Sequence, residues 1–242
     1  MITLWELGGR DDRRYSLFSW RTRMALRHKR LDFATAPVRM SDKAAIAFSG
    51  GKTVPIVKDG EGDGNDFVVR DSWKIAEYLE SRYPDAPTLF GGTIGQGVTQ
   101  ALNVWVDRVL VLPMLAVIVA DVHERVDPAD AQYFRDSMEK ILKMRLEEAR
   151  KQRAEAMARL TRTLEPMQAL LKRQPWIAGA QPAYADYILF SIFQWARVMS
   201  SHEVLEEGPL REWRERAEQT ELRIKARPAS HEVKDGSVKK VA

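Results

Sequence analysis

A strand-strand-helix pattern over residues 52–82 constrains the fold of this chain more than any other segment. Residues 52–57 read Lys-Thr-Val-Pro-Ile-Val, and residues 68–72 read Val-Val-Arg-Asp-Ser before a helical run. A residue before proline is held extended, and a buried Val54–Pro55 bond is a candidate for the cis form. The segment therefore predicts a β-β-α unit that turns the amide and carbonyl of Val54 outward.

The same segment predicts a binding site for a small peptide. An outward-facing Val54 backbone could pair with an extended peptide as an added strand. Asp71 and Ser72 place a carboxylate and a hydroxyl beside free N–H groups at a helix start, which suits an amine next to a carboxylate. A short peptide with an α-amino acid end would use both features, and glutathione meets this description.

The first part of the chain indicates a small α/β domain with a mixed sheet. The element order β-α-β-α-β-β-α is typical of a sheet covered by helices. A turn-rich stretch, residues 59–65, joins the third and fourth strands. The predicted elements are Ile2–Leu7, Ser16–His28, Phe33–Val38, Asp42–Phe48, Val54–Val57, Phe67–Arg70 and Ser72–Arg82.

The rest of the chain predicts an all-helical domain. We divide the chain into an α/β domain over residues 1–83, a Pro- and Gly-rich linker over 84–97, a helical domain over 98–225 and a flexible polar tail over 226–242. The predicted helices are Thr99–Ala120, Pro128–Thr163, Leu164–Arg173, Tyr184–Ser201 and Leu210–Lys225.

The chain contains no cysteine among its 242 residues. This excludes disulfides, thiolate metal sites and a cysteine nucleophile. The 4 histidines show no spacing typical of metal ligands, so we expect no metal. Any reactive sulfur must therefore arrive with a ligand.

Charge and hydropathy indicate a soluble globular protein. The 38 basic residues are interspersed with 34 acidic ones and form no block before the tail, so we expect no nucleic-acid partner. The N-terminus lacks the pattern of a secretion signal, which favours a cytoplasmic location. The apolar run Val109–Ala120 is short and contains Pro113, so it predicts a buried helix and no membrane partner.

Four motifs in chain order resemble those of the glutathione transferase family. The resemblance covers residues 2–220 and implies a thioredoxin-like, glutathione-binding N-terminal domain followed by an all-α domain that binds the second substrate. It also implies glutathione as co-substrate and a homodimer built across the two domain types. The motifs are Tyr15-Ser16-Leu17-Phe18-Ser19-Trp20-Arg21, Lys52-Thr53-Val54-Pro55, Asp71-Ser72-Trp73-Lys74-Ile75-Ala76-Glu77-Tyr78-Leu79 and Gly179-Ala180-Gln181-Pro182-Ala183-Tyr184-Ala185-Asp186.

Within that family the chain is most similar to the β-etherase-like branch. The similarity lies in Ser-x-Phe-x-Trp-Arg-Thr in the first helix, in Asp-Ser-Trp-x-Ile-Ala, and in residues 121–125 and 133–137. Two residues depart from the family pattern. Ala183 stands where a helix-capping Ser or Thr is common, and Leu17 stands where relatives often have proline.

Ser16 is the candidate catalytic residue. The thiol of free glutathione is mostly protonated near neutral pH, whereas the thiolate is the nucleophile. A hydroxyl at a helix N-terminus can stabilise that anion. Ser16 could instead only cap the helix, since serine is common there. Ser19 is the alternative hydroxyl, and Tyr15 is expected to pack or to line the entrance.

Glutathione is expected to contact Lys52, Val54, Pro55, Asp71 and Ser72. The Val54 backbone would pair with the cysteinyl residue, Asp71 would hold the γ-glutamyl amine, and Ser72 would hold its carboxylate. Lys52 is a candidate for the glycyl carboxylate, with Arg39 as a weaker one. The competing interpretations are a solvated Lys52 and a ligand-free helix cap at Asp71.

The sequence thus predicts a glutathione transferase whose bound thiolate attacks an electrophilic carbon of an apolar substrate, with aryl ethers as one possible class. The competing hypothesis is a binding or interaction protein of the same architecture without turnover. Thiol-disulfide exchange through a protein cysteine is excluded by the cysteine count.

Overall fold

The computed structural model describes residues 1–60 and 66–225, with side chains up to residue 219. Its N-terminal domain packs α-helices on a four-stranded sheet. A short 3-10 helix, Ala44–Ser49, follows the second strand. The elements are β1 (Ile2–Leu7), α1 (Leu17–His28), β2 (Phe33–Val38), β3 (Ile56–Asp59), β4 (Phe67–Arg70) and α2 (Ser72–Arg82).

The sheet has the strand order β2-β1-β3-β4. β1 pairs in parallel with β2 and antiparallel with β3, and β3 pairs antiparallel with β4. Ile2 and Leu4 of the central strand β1 are buried. A parallel β-α-β unit followed by an antiparallel hairpin and a helix is the thioredoxin-like arrangement that the sequence predicts.

The C-terminal domain is helical, as predicted. A π-helical turn, Val106–Leu110, joins its first two helices into one run. The elements are α3 (Thr93–Trp105), α4 (Val111–Arg125), α5 (Ala131–Leu142), α6 (Leu146–Lys151), α7 (Arg153–Leu171), α8 (Tyr184–Met199) and α9 (Pro209–Lys225). α8 is buried along nearly its whole length because α1, α3, α4 and α9 surround it. One apolar core extends through both domains.

The helical run Thr93–Arg125 is strongly apolar. By length and composition it could cross a membrane, with a mean hydropathy of 1.9 over its most apolar window, of which 39% is buried. Most of α4 lies inside the helical bundle. Solvent-exposed apolar residues remain on one stretch, which we name the α3 face: Ile94, Val98, Val104, Val109 and Leu112.

Asp186 stabilises the chain before α8, where Ala183 offers no capping side chain. The buried Asp186 carboxylate accepts the N–H groups of Ile177 at 2.7 Å, Ala178 at 3.2 Å and Ala183 at 3.1 Å. It also accepts the indole N–H of Trp213 at 2.9 Å. These bonds fix the segment before α8, although position 183 carries no capping side chain.

Some boundaries differ from the sequence prediction. The helix expected over Asp42–Phe48 is a 3-10 helix. The third strand, expected to begin at Val54, begins at Ile56, because Ile56 is the first residue of β3 that pairs with β1. α3 begins at Thr93, inside the predicted linker. Gly95 indicated a loop, yet it lies in this helix, where a Cβ would stand 2.0 Å from the carbonyl oxygen of Phe90. Because glycine has no Cβ, the helix backbone at Gly95 can lie close to the carbonyl of Phe90.

The predicted helix Pro128–Thr163 is divided into shorter helices, and α5 ends where Lys143 adopts a left-handed φ of 54°. The break expected after Thr163 is absent, since α7 continues through Pro166. Leu160 and Leu164 keep one face of α7 buried across that region. The predicted tail, 226–242, and residues 61–65 of the predicted turn lie outside the described residues.

Candidate functional site

Three strand ends and two helix starts meet at one edge of the sheet. Since β3 runs antiparallel to β1 and β4, the first residues of β3 lie beside the last residues of β1 and β4. α2 begins directly after β4, and the chain after β1 leads into α1. This edge therefore brings the helix starts at Ser16 and Asp71 near Val54, which precedes β3 by one residue, Pro55.

Ser16 caps α1 and remains partly exposed. Its Oγ accepts the N–H of Ser19 at 3.3 Å, and its backbone is extended, with φ of −70° and ψ of 119°. A hydroxyl that accepts one hydrogen bond keeps its own proton for donation. Ser16 can therefore cap the helix and also donate to an anion placed at the helix N-terminus.

Ser19 and Tyr15 are more enclosed than Ser16. Ser19 is 2% exposed and Tyr15 is 4% exposed. Neither hydroxyl has a hydrogen-bond partner within the part of the chain that the structure describes. Burial raises the pKa of the Tyr15 phenol, and the carboxylates of Asp130 and Asp127 raise it further. Ser16 is thus the hydroxyl of the three that a ligand reaches most directly.

Asp71 caps α2 from an uncommon backbone conformation. Its φ of 74° and ψ of 129° lie outside the regions that side-chain-bearing residues favour. Its Oδ1 accepts the N–H groups of Trp73 at 3.0 Å and Lys74 at 3.1 Å, and the residue is exposed. Such conformations cluster at ligand-binding positions. Ser72 beside it is buried, and its carbonyl accepts the Tyr184 hydroxyl at 2.8 Å.

The Val54–Pro55 peptide bond is cis, which confirms the sequence prediction. Val54 is half-buried and Pro55 is buried. The ladder between β1 and β3 stops at Ile56, so the sheet does not use the peptide groups of Val54. Lys52 and Arg39 are both exposed.

From the sequence, Arg21 is expected to form a structural ion pair or to point into solvent, and the structure shows the ion pair. Arg21 of α1 is fully buried, and its guanidinium donates to Asp107 at 2.8 Å, Asn103 at 2.8 Å and Ser191 at 3.2 Å. Asp107 lies in the π-helical turn, and π-helical turns are frequent at functional sites. The sequence signal for this ion pair is the position of Asp107 inside a mostly apolar helical run. The contact attaches α1, which Ser16 caps, to the helical domain.

Within residues 1–60 and 66–225, no group of three His, Cys, Asp or Glu side chains could hold a metal ion. The polar groups at the sheet edge include the hydroxyls of Ser16 and Ser72, the carboxylate of Asp71 and the peptide groups of Val54, which the β1–β3 ladder does not use. They can bind a small zwitterionic peptide and stabilise an anion.

Comparison with protein families places most of the chain in one family. Residues 15–82 match the model described as glutathione S-transferase, N-terminal domain. Residues 98–225 match the model described as glutathione S-transferase, C-terminal domain. The second match alone covers more than half of the chain.

Solved structures give the same result. Glutathione transferase GSTFuA3 from Phanerochaete chrysosporium is 25% identical, with a TM-score of 0.79 over 89% of this chain and 95% of its own. GSTFuA2 from the same organism is 27% identical, with a TM-score of 0.72 over 82% of this chain and 86% of its own. CsGST63524 of Ceriporiopsis subvermispora, solved in complex with glutathione, is 20% identical, with a TM-score of 0.79 over 94% and 98%.

Proposed function

The chain belongs to the glutathione S-transferase family, and we propose that it transfers glutathione to an electrophilic carbon of an apolar substrate. In this mechanism, Ser16 stabilises the reacting thiolate. The observation that supports this role is the partly exposed hydroxyl at the N-terminus of α1, at the sheet edge where α2 also begins.

Ser16 acts by hydrogen-bond donation to sulfur. Because its Oγ already accepts the Ser19 N–H, the hydroxyl proton is directed to an incoming anion. The positive end of the α1 dipole lies at the same place. Both interactions lower the pKa of the bound thiol, whose proton passes to solvent, so that thiolate accumulates near neutral pH.

Glutathione lies along the sheet edge. The peptide groups of Val54, held extended by Pro55 and lying outside the β1–β3 ladder, bond the cysteinyl residue. Asp71 holds the γ-glutamyl ammonium group, and the hydroxyl and N–H of Ser72 hold its carboxylate at the N-terminus of α2. Lys52 holds the glycyl carboxylate. The glutathione complex of CsGST63524, which has a similar fold, supports the same ligand here.

The enzyme is β-etherase-like, and the electrophilic carbon of its second substrate carries an aryloxy group. The thiolate electron pair forms the C–S bond while the C–O bond breaks. The aryl oxide leaves with the bonding pair and takes a proton from water, so the products are a thioether and a phenol. The motif of α1 supports this class, and Phe18, which is 36% exposed, offers apolar surface on its first turn.

Two copies of the chain form a dimer through apolar surfaces of both domains. One surface is the α3 face. The other lies on β4, the edge strand, where Phe67 is 57% exposed and Val68 is 39% exposed. Exposed apolar residues that lie together mark interaction surfaces. Apolar patches on two domains suit a two-fold pair in which each N-terminal domain contacts the partner's helical domain.

A binding measurement followed by a rate measurement tests the function. We expect calorimetry to show glutathione binding, and we expect thioether formation with a chromogenic aryl halide. A panel of aryl ethers should then release phenol in proportion to thioether. Binding without turnover of any electrophile would favour a binding protein, and no binding at millimolar glutathione would refute the proposed function.

A further inference from the structure

Asp130 is a carboxylate with no exposed surface, and it joins the two domains. It ends the short 3-10 helix Pro128–Asp130 between α4 and α5. One of its oxygens accepts the N–H of Met40 at 2.7 Å, and the other accepts the N–H of Ser41 at 3.0 Å. The Ser41 hydroxyl donates to the second oxygen as well. A carboxylate of the helical domain thus satisfies three donors of the N-terminal domain.

The loop that Asp130 binds leads directly into the candidate glycyl site. Arg39 immediately precedes Met40, and the 3-10 helix Ala44–Ser49 begins after Lys43. The Lys43 ammonium donates to the Met40 carbonyl at 2.6 Å and lies 5.4 Å from the ring centre of Tyr133 in α5. This loop therefore has a second contact with the helical domain.

The path from the loop to the cis-proline segment is short and bonded. The Ala45 N–H donates to Asp42 at 3.1 Å, and the Gly51 N–H donates to the Ser49 hydroxyl at 3.1 Å. Lys52 follows Gly51 directly. Arg39 and Lys52, the two candidate cations for the glycyl carboxylate, thus lie at the two ends of one segment. Asp130 binds that segment near its first residue, at Met40 and Ser41.

We propose that Asp130 is a positioning residue that orients the segment from Arg39 to Lys52, whose cations bind the glycyl carboxylate of glutathione. It touches neither substrate nor sulfur and acts through Met40 and Ser41. This role rests on the proposed glutathione binding. Recognition of the glycyl end of the tripeptide then depends on the contact made by Asp130, whereas the γ-glutamyl end depends on a different contact with the helical domain, the bond from the Tyr184 hydroxyl to the Ser72 carbonyl.

Truncation of the ligand separates this role from a general structural one. Calorimetry compares glutathione with γ-glutamylcysteine, which lacks the glycyl residue, for the wild-type protein and for Asp130→Asn. The amide can accept from one backbone N–H but opposes the other with its own donors. We expect glutathione binding to weaken about tenfold, and γ-glutamylcysteine binding to stay within about twofold of the wild type.

Asp136→Asn is the matched control, because the same charge is removed from an exposed position of α5; both affinities should stay unchanged. If Asp130→Asn does not fold, Ser41→Ala takes its place, and a smaller loss confined to glutathione is expected. An equal loss for both peptides, or no loss for either, would overturn the positioning role. Wild-type protein that binds neither peptide would overturn the proposed function itself.

Discussion

The Nδ1 atom of His28 lies 2.7 Å from the hydroxyl oxygen of Tyr187, and this contact joins α1 to α8. The other ring nitrogen, Nε2, lies 2.9 Å from the carbonyl oxygen of Thr88, in the segment between the domains. Since a carbonyl only accepts, Nε2 carries the proton and Nδ1 of the neutral ring accepts from Tyr187. The neutral imidazole therefore connects three parts of the chain.

Acid is expected to weaken this junction. Burial lowers the pKa of His28 in the folded protein, and the charge of Lys29 acts in the same direction. Below the ordinary histidine pKa of about 6.5, the unfolded chain then binds more protons than the folded chain. The free energy of unfolding therefore falls as pH drops from that value through the lower folded pKa.

Urea unfolding at about pH 5 and about pH 7.5 measures the contribution of His28. His28→Gln removes the titrating ring and should show a smaller loss of stability between the two values than the wild type. His202→Gln changes an exposed histidine and should keep the wild-type dependence. An identical pH dependence in His28→Gln would show that the junction does not sense pH.

Ser16→Ala should reduce turnover about a hundredfold, the size expected for loss of one donor to a reacting anion. Glutathione affinity should stay within about twofold, and loss of the cap should cost about 1 kcal/mol of folding stability. The thiolate absorbance of bound glutathione, followed against pH, should show a raised thiol pKa. Ser19→Ala is the control, because its enclosed hydroxyl has no bond to lose within the described residues. Equal turnover of Ser16→Ala and wild type would refute the catalytic assignment.

Asp71 supports a prediction that separates its cap from its charge. Asp71→Asn retains an oxygen for the N–H groups of Trp73 and Lys74 and tolerates the positive φ. We expect stability close to the wild type but glutathione binding weaker by about tenfold, because the ammonium group loses its counter-charge. Asp71→Ala should lose the cap as well.

Calorimetry and thermal unfolding of the Asp71→Asn and Asp71→Ala variants resolve the two effects, with turnover at saturating glutathione as a third measurement. We expect that turnover to change less than the affinity does. Unchanged affinity in Asp71→Asn would mean that the carboxylate serves only as a helix cap.

Most features that the sequence predicts correctly depend on residues close together in the chain. Helix starts, strand starts and the Val54–Pro55 bond depend on neighbouring residues, so the sequence alone predicts helix caps at Ser16 and Asp71. The bond from Arg21 to Asp107 joins residues 86 positions apart. Asp130 likewise accepts the N–H of Met40 across 90 positions. These contacts depend on how two domains pack, and no local pattern in the sequence reports that.

The α3 face leads to the last prediction, on dimer formation. Val98 is 68% exposed on α3, and a carboxylate there would be buried without a partner if two copies meet at this face. Val98→Asp should therefore convert a dimer into a monomer, which light scattering after size exclusion would detect as a halved mass.

Ile141→Asp provides the matched control, because Ile141 is a 51% exposed apolar residue on α5, a helix that contributes no residue to the α3 face. It should keep the mass of the wild type. The Ser16 hydroxyl belongs to one copy, so a Val98→Asp monomer should still bind glutathione, although its turnover would fall if the partner shapes the apolar pocket. A wild-type protein that is monomeric at all concentrations, or a Val98→Asp variant that remains dimeric, would contradict the proposed interface.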